Sequence, residues 1–150
     1  MLVSEILRVK GNTVFSAPPE TKVLDAINLM VQRDVGSLVV MEHEHMAGLV
    51  TFREVFAALD RLGGTLGDAR VGELMVKNPL TAEPTMDVME LRRIMLQHHA
   101  RYIPVIEGAT LLGVVSFHDV AKAVYEEQSF ENRMLKGYIK NWPEEETPAA

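Results

Sequence analysis

Leu111-Leu112-Gly113-Val114-Val115-Ser116-Phe117-His118-Asp119 is the stretch on which the fold turns. Its apolar residues read as a short buried strand, and Ser116 then opens an amphipathic helix. Met46-Ala47-Gly48-Leu49-Val50-Thr51-Phe52-Arg53-Glu54 follows the same pattern 65 positions earlier. Sliding the chain by that shift aligns far more without a gap. Pro19 falls on Pro84, Val23 on Val88, Met30 on Met95, Val40 on Val105, Phe52 on Phe117, Val55 on Val120 and Ala58 on Ala123. One unit is written twice.

Each copy spells out the same elements. Val3 to Lys10 reads as a short helix with Ser4 as its N-cap, broken by Gly11-Asn12. Val14 to Ser16 is a brief extended segment, ended by Pro18-Pro19. Thr21 caps a helix whose apolar residues Val23, Leu24, Ile27, Met30 and Val31 recur at helical spacing. Ser37 to Met41 and Met46 to Thr51 form a strand pair around the polar tip Glu42-His43-Glu44-His45. A helix from Thr51 carries Val55, Phe56 and Leu59 on one face. Arg61 to Arg70, rich in glycine, connects the halves. Val71 to Met75 echoes the first helix, Pro79 to Ala82 the first strand, and Pro84 to His98 the second helix. Tyr102 to Ile106 and Leu111 to Ser116 repeat the strand pair. A closing helix from Ser116 to about Asn141 is longer than its counterpart, and Trp142-Pro143 stops it.

The expected architecture is α+β: two β-α-β-β-α units, packed sheet against sheet about a pseudo-twofold axis, with clefts between them. The first unit spans residues 1–65 with the N-terminal helix, the second 66–141 with the extended closing helix, and 142–150 form an acidic tail. A unit of this size has little core of its own, whereas the 150-residue chain can bury roughly two-thirds of its unfolded surface. A net charge of −6 argues against a nucleic-acid partner, because phosphate contacts need a basic face. With no cysteine, disulfides, zinc thiolates and thiol nucleophiles are excluded. The first residues lack an apolar run of signal-peptide length, and no stretch approaches a membrane span. A cytoplasmic protein without a membrane partner is expected.

Ser116-x-x-Asp119 and Thr51-x-x-Glu54 both have the form of a helix capping box, and on the motif alone a cap is the simpler reading. His43-x-His45 between two glutamates has the residue types of a metal site, but a charged hairpin tip is ordinarily solvated, so no metal is expected. His98-His99 at a helix C-terminus suits the dipole. No ordered Ser/His/Asp set, glycine-rich phosphate loop or catalytic carboxylate pair stands out, and an enzyme is not expected.

The tandem repeat, with Arg101-Tyr102-Ile103-Pro104-Val105 followed by Gly113-Val114-Val115-Ser116-x-x-Asp119, resembles the cystathionine-β-synthase (CBS) domain pair, or Bateman module, over about residues 3 to 140. In its size it is similar to small stand-alone bacterial members. The resemblance implies a regulatory module that binds adenosine-containing ligands between the repeats: AMP first, with ATP, ADP, NAD(H) or S-adenosylmethionine as alternatives. It further implies a homodimer and a regulated partner protein of unknown identity. In this reading Asp119, in the first helical turn, accepts hydrogen bonds from the ribose hydroxyls, and charge-assisted bonds of that kind are strong. The Ser116 hydroxyl and the free N–H groups of the helix start receive the first phosphate, helped by Arg101 and His118. Thr81, Ile103 and Pro104 match family positions that border the adenine and sugar. The earlier copy offers Thr51, Arg53 and Glu54. Glutamate is one methylene longer than the usual aspartate, so its carboxylate either crowds the ribose or turns back onto the Thr51 N–H. Gly36 also replaces the Arg101 equivalent. Unequal sites are therefore expected, the Asp119 site occupied and the Glu54 site weak, altered or structural. The competing reading is a ligand-free scaffold that assembles through the closing helix, whose Val120, Val124, Leu135, Tyr138 and Ile139 are apolar.

Overall fold

A computed structural model describes residues 1–11 and 13–140. Eleven elements follow in order: α1 Val3–Lys10, β1 Ser16–Ala17, α2 Val23–Arg33, β2 Ser37–Glu42, β3 His45–Thr51, α3 Phe52–Arg61, α4 Val71–Leu74, α5 Val88–His98, β4 Tyr102–Glu107, β5 Thr110–Ser116 and α6 Phe117–Lys140. The anticipated stop at Trp142-Pro143 and the acidic tail lie outside the described residues.

The duplication extends to backbone register. β2 and β3 pair antiparallel with Val39 opposite Leu49, and β4 and β5 with Pro104 opposite Val114. The register shifts between Val40 and Met41 in one hairpin and between Val105 and Ile106 in the other, at equivalent positions. His43 and Glu44 take positive φ (51° and 66°), the backbone that tight two-residue hairpin turns favour. β1 adds to β2 in parallel, Ser16 against Val39. Its counterpart is not a strand: where Pro79 to Ala82 was expected to be extended, only Ala82 bridges to Val105. Pro79 and Pro84 flank that bridge and limit further pairing, since proline has no N–H to donate.

Two hydrophobic cores result, and each borrows a helix from the other half. Val3, Ile6 and Leu7 of α1 pack with Val88, Leu91, Met95, Ile103, Val115 and Val120. Val71 of α4 packs with Val23, Met30, Leu38, Val50 and Val55. Matching backbone bonds anchor the exchange: Val3 N–H donates to Met86 C=O and Val71 N–H to Thr21 C=O, each at 2.9 Å. Ser4 N–H donates to Pro84 C=O (2.9 Å) and Gly72 N–H to Pro19 C=O (3.0 Å). The exchange also crosses the strands. A Cβ built at Gly113 of β5 would meet a Leu7 methyl at 2.8 Å, and one at the equivalent Gly48 would meet the Met75 sulfur and the Val76 carbonyl oxygen at 2.7 Å. β3 and β5 touch across the interface, so the halves pack through their sheets as expected.

Several local details differ from expectation. Leu2, not Ser4, is the N-cap of α1, with the Glu5 carboxylate accepting its N–H. Lys22, not Thr21, precedes α2. α5 starts only at Val88, where the Asp87 carboxylate accepts the Met89 N–H at 2.8 Å. On α3 the inward residues are Val55 and Ala58, while Phe56 stands 66% exposed. Phe56 lies about 100° around the helix from Val55 and falls outside the face that Val55 and Ala58 bury.

Candidate functional site

At the carboxyl edge of each hairpin, a strand runs directly into a helix. β5 ends at Ser116 and α6 starts at Phe117; β3 ends at Thr51 and α3 starts at Phe52. Both junctions close as capping boxes. The Ser116 N–H donates to Asp119 Oδ2 at 2.8 Å, and the Asp119 N–H donates to Ser116 Oγ at 3.0 Å. Glu54 Oε1 accepts both the Thr51 N–H (2.9 Å) and the Thr51 hydroxyl (2.8 Å). The longer side chain has turned back, one of the two outcomes set out for it. Asp119 also turns back, but it carries a second partner: Lys10 Nζ, at the end of α1, donates to Oδ2 at 2.6 Å. The same ammonium donates to the Val114 carbonyl at 2.8 Å, which fixes it at the cleft wall. Partial burial alone would raise the Asp119 carboxyl, but the Lys10 and Ser116 hydrogen bonds and the Lys10 charge outweigh it and hold it below the usual aspartate range. The carboxylate therefore stays anionic well below neutral pH.

Each junction faces the other half of the molecule. Ser116, His118 and Asp119 line a cavity of about 510 Å³ whose opposite wall is Thr13, Val14, Phe15, Val35, Gly36 and Ser37. Thr51, Arg53 and Glu54 line one of about 800 Å³, opposite Pro79, Leu80, His98, His99 and Ala100. The crevice between the halves is open, not filled by side chains. Arg101 and Tyr102, at the entry to β4, line both clefts. Tyr102 reaches over Gly36: a Cβ there would lie 1.8 Å from its hydroxyl oxygen. The exchanged glycine thus makes room for an aromatic ring in addition to removing a cation.

Of the residues singled out from the sequence, the structure brings Arg101, Ser116, His118 and Asp119 together in one cleft and Thr51, Arg53 and Glu54 in the other, with Arg101 again. Thr81, Ile103 and Pro104 line neither. Ile103 and Pro104 are buried in β4, and Thr81 is exposed beside the Ala82 bridge. The wall facing Asp119 comes from the opposite copy, at Thr13 to Phe15. Lys10 was not anticipated, since at the end of a short helix it looks like an ordinary dipole-facing lysine. Among the described residues no group of three or more His, Cys, Asp or Glu side chains is placed to hold a metal ion. No helix among them is long and apolar enough to cross a membrane.

A pair of intertwined β-α-β-β-α repeats with a strand-to-helix cap facing the partner repeat on each side defines a tandem module with two clefts. The CBS domain family matches residues 3–61 and 71–126, one copy per repeat, and the chain belongs to that family. The mitochondrial CBS domain-containing protein CBSX3 of Arabidopsis thaliana is 29% identical over 147 residues, covering 92% of this chain and 71% of CBSX3. A solved protein with CBS domains from Burkholderia ambifaria is 30% identical, with a TM-score of 0.80 over 85% of this chain and 96% of its own. CBSX2, solved in complex with AMP, shares the fold at 24% identity and a TM-score of 0.68, over 85% of this chain and 98% of its own.

Proposed function

We propose that the chain is a regulatory module, not a catalyst, that binds an adenosine-containing ligand, AMP foremost, in the Asp119 cleft. The observation that carries this reading is an anionic carboxylate at the start of α6 facing an open cavity walled by the other repeat. Asp119 takes the ribose diol. The Ser116 hydroxyl and the N–H groups opening α6 receive the phosphate, because a helix start presents unpaired donors and a positive dipole end. Arg101, His118 and Lys10 add donors or positive charge, Lys10 exchanging its bond to Asp119 for one to the ligand. Val14, Phe15 and Val35 offer an apolar slot for the base. AMP in a protein of the same fold supports the choice of ligand class.

A ligand that touches both repeats biases their packing by its differential affinity for two arrangements, and a partner protein reads the result. A thermal-shift panel of AMP, ADP, ATP, NADH and S-adenosylmethionine tests the reading. A bound ligand at a hundred times its dissociation constant stabilises by about 2.7 kcal/mol. Stabilisation by at least one of them, lost in Asp119→Ala, is expected; a flat panel contradicts it.

A second reading has its own observation. α3 ends at Arg61, whereas α6 runs on to Lys140, and nothing beyond Val124 in α6 is buried. Val120 and Val124, expected on this surface, are buried in the second core instead, while Leu135 and Ile139 lie exposed on that extension with Phe130 and Met134. An assembly scaffold, a homodimer first, would use this surface. Sedimentation of a chain ending at Glu127 separates the two: a scaffold falls apart, and a sensor keeps its ligand.

A further inference from the structure

The segment that ends α2 gives the Asp119 cleft an electrostatic wall that its counterpart lacks. Asp34-Val35-Gly36 lines that cleft, and the segment 65 positions on, His99-Ala100-Arg101, lines the Glu54 cleft. Along this wall the exchange removes an arginine and sets a carboxylate where the other repeat has an imidazole. Asp34 and His99 each close a helix with left-handed backbone, φ 53° in both, so the shape is kept and only the charge differs. A helix C-terminus favours a cation, and an anion at that end is unfavourable. Aspartate tolerates the left-handed conformation, but asparagine does so too and brings no charge. Among the described residues the Asp34 carboxylate makes no ion pair. The neighbouring Arg33 guanidinium lies instead over the Phe15 ring, 5.5 Å from its centroid.

The fixed charges on the cleft lining therefore cancel, Lys10 and Arg101 against Asp34 and Asp119, with His118 the one imidazole. A phosphate monoester carries about two negative charges near neutral pH, which the two cations can meet. Each further phosphate finds no additional cation and shares the cleft with Asp34. Like charges juxtaposed in a site partly shielded from water discriminate against the wrong ligand more strongly than in bulk solvent. We propose that Asp34 sets how many phosphates the Asp119 cleft accepts, admitting AMP and rejecting ATP by charge repulsion. This rests on the adenosine reading of that cleft and names the residue that makes it selective.

Calorimetric titration of the full chain with AMP and with ATP, in magnesium-free buffer of low ionic strength, reads the ratio of the two affinities. ATP should bind at least tenfold more weakly than AMP to the parent chain. Asp34→Asn keeps the side-chain size and the left-handed turn, removes the charge, and should narrow that ratio at least threefold. Asp34→His, which copies the other repeat, should narrow it at least as much. Added salt should also shrink the discrimination of the parent, because screening weakens repulsion. Thermal unfolding of Asp34→Asn no lower than the parent's verifies that the turn survives. ATP bound as tightly as AMP by the parent, or a ratio unmoved by both substitutions, overturns the proposal. If AMP binding depends on Asp119 while the ratio stays fixed, only the role of Asp34 falls; a chain that binds neither nucleotide takes the adenosine reading down with it.

Discussion

The Asp119 and Glu54 clefts are assembled from equivalent parts in crossed order, yet their walls differ. In one, a short carboxylate closes the cap, and a lysine from the borrowed helix adds a charge that keeps it ionised. In the other, the methylene-longer carboxylate satisfies the cap alone, and phenylalanines and leucines crowd the opening with two histidines and two arginines. Duplication preserves what the fold needs: the hairpin register, the capped strand-to-helix junction and the strand glycine beneath the exchanged helix. It leaves the lining free to diverge. Symmetry of backbone therefore does not imply symmetry of ligand, and substitutions at equivalent positions should have unequal effects.

The largest inequality is expected at the strand glycines. Gly48→Ala drives a methyl against the Val76 carbonyl, a backbone atom held by the Leu49–Val76 bridge, whereas Gly113→Ala meets only a Leu7 methyl that can turn away. Gly48→Ala should cost about 1–3 kcal/mol, the range of overpacked cores, and Gly113→Ala clearly less. Equal denaturation midpoints for the two would show that the halves tolerate strain alike. A smaller effect belongs to the caps: Thr51→Ala removes the hydroxyl that serves both Glu54 and the Arg53 N–H, and should lower stability by about 1 kcal/mol in chemical denaturation.

The smallest effect is electrostatic and visible in acid. The Asp119 carboxyl is depressed in the folded protein, so its contribution is present above the unfolded aspartate value and disappears as pH falls through the depressed one. In Lys10→Met the lysine's hydrogen bond and charge are gone while burial still raises the carboxyl, so acid destabilisation should begin at higher pH. At neutral pH the partly exposed pair contributes no more than about 1 kcal/mol. A stability-versus-pH curve that superimposes on the parent's would show that Lys10 does not tune Asp119.

Much of this was legible in the sequence because duplication is a strong signal. The 65-residue shift places matched hairpins, and of the apolar residues that mark the second helix Val23 and Met30 are buried, whereas Leu24 and Val31 stand exposed and Ala26 faces the core in their place. What escaped depends on contacts far apart in the chain. Periodicity cannot say that α1 docks on the second core, because that docking uses backbone donors such as Val3 N–H that every residue possesses. The resemblance places the adenine and sugar beside Thr81, Ile103 and Pro104 of the same repeat as Asp119. The twofold arrangement instead brings Phe15 and Ser37 across, at positions whose equivalents, Leu80 and Tyr102, line the other cleft. In the sequence Phe56 shares one apolar face with Val55 and Leu59. Its outward position makes sense as a wall of the Glu54 cleft.

Calorimetry with AMP on the parent chain, Asp119→Ala and Glu54→Ala weighs the two clefts against each other most plainly. We expect one AMP per chain, lost when Asp119 is removed and retained when Glu54 is removed. Two equivalent AMP molecules per chain, or binding that survives Asp119→Ala and vanishes with Glu54→Ala, would contradict the assignment of the nucleotide site.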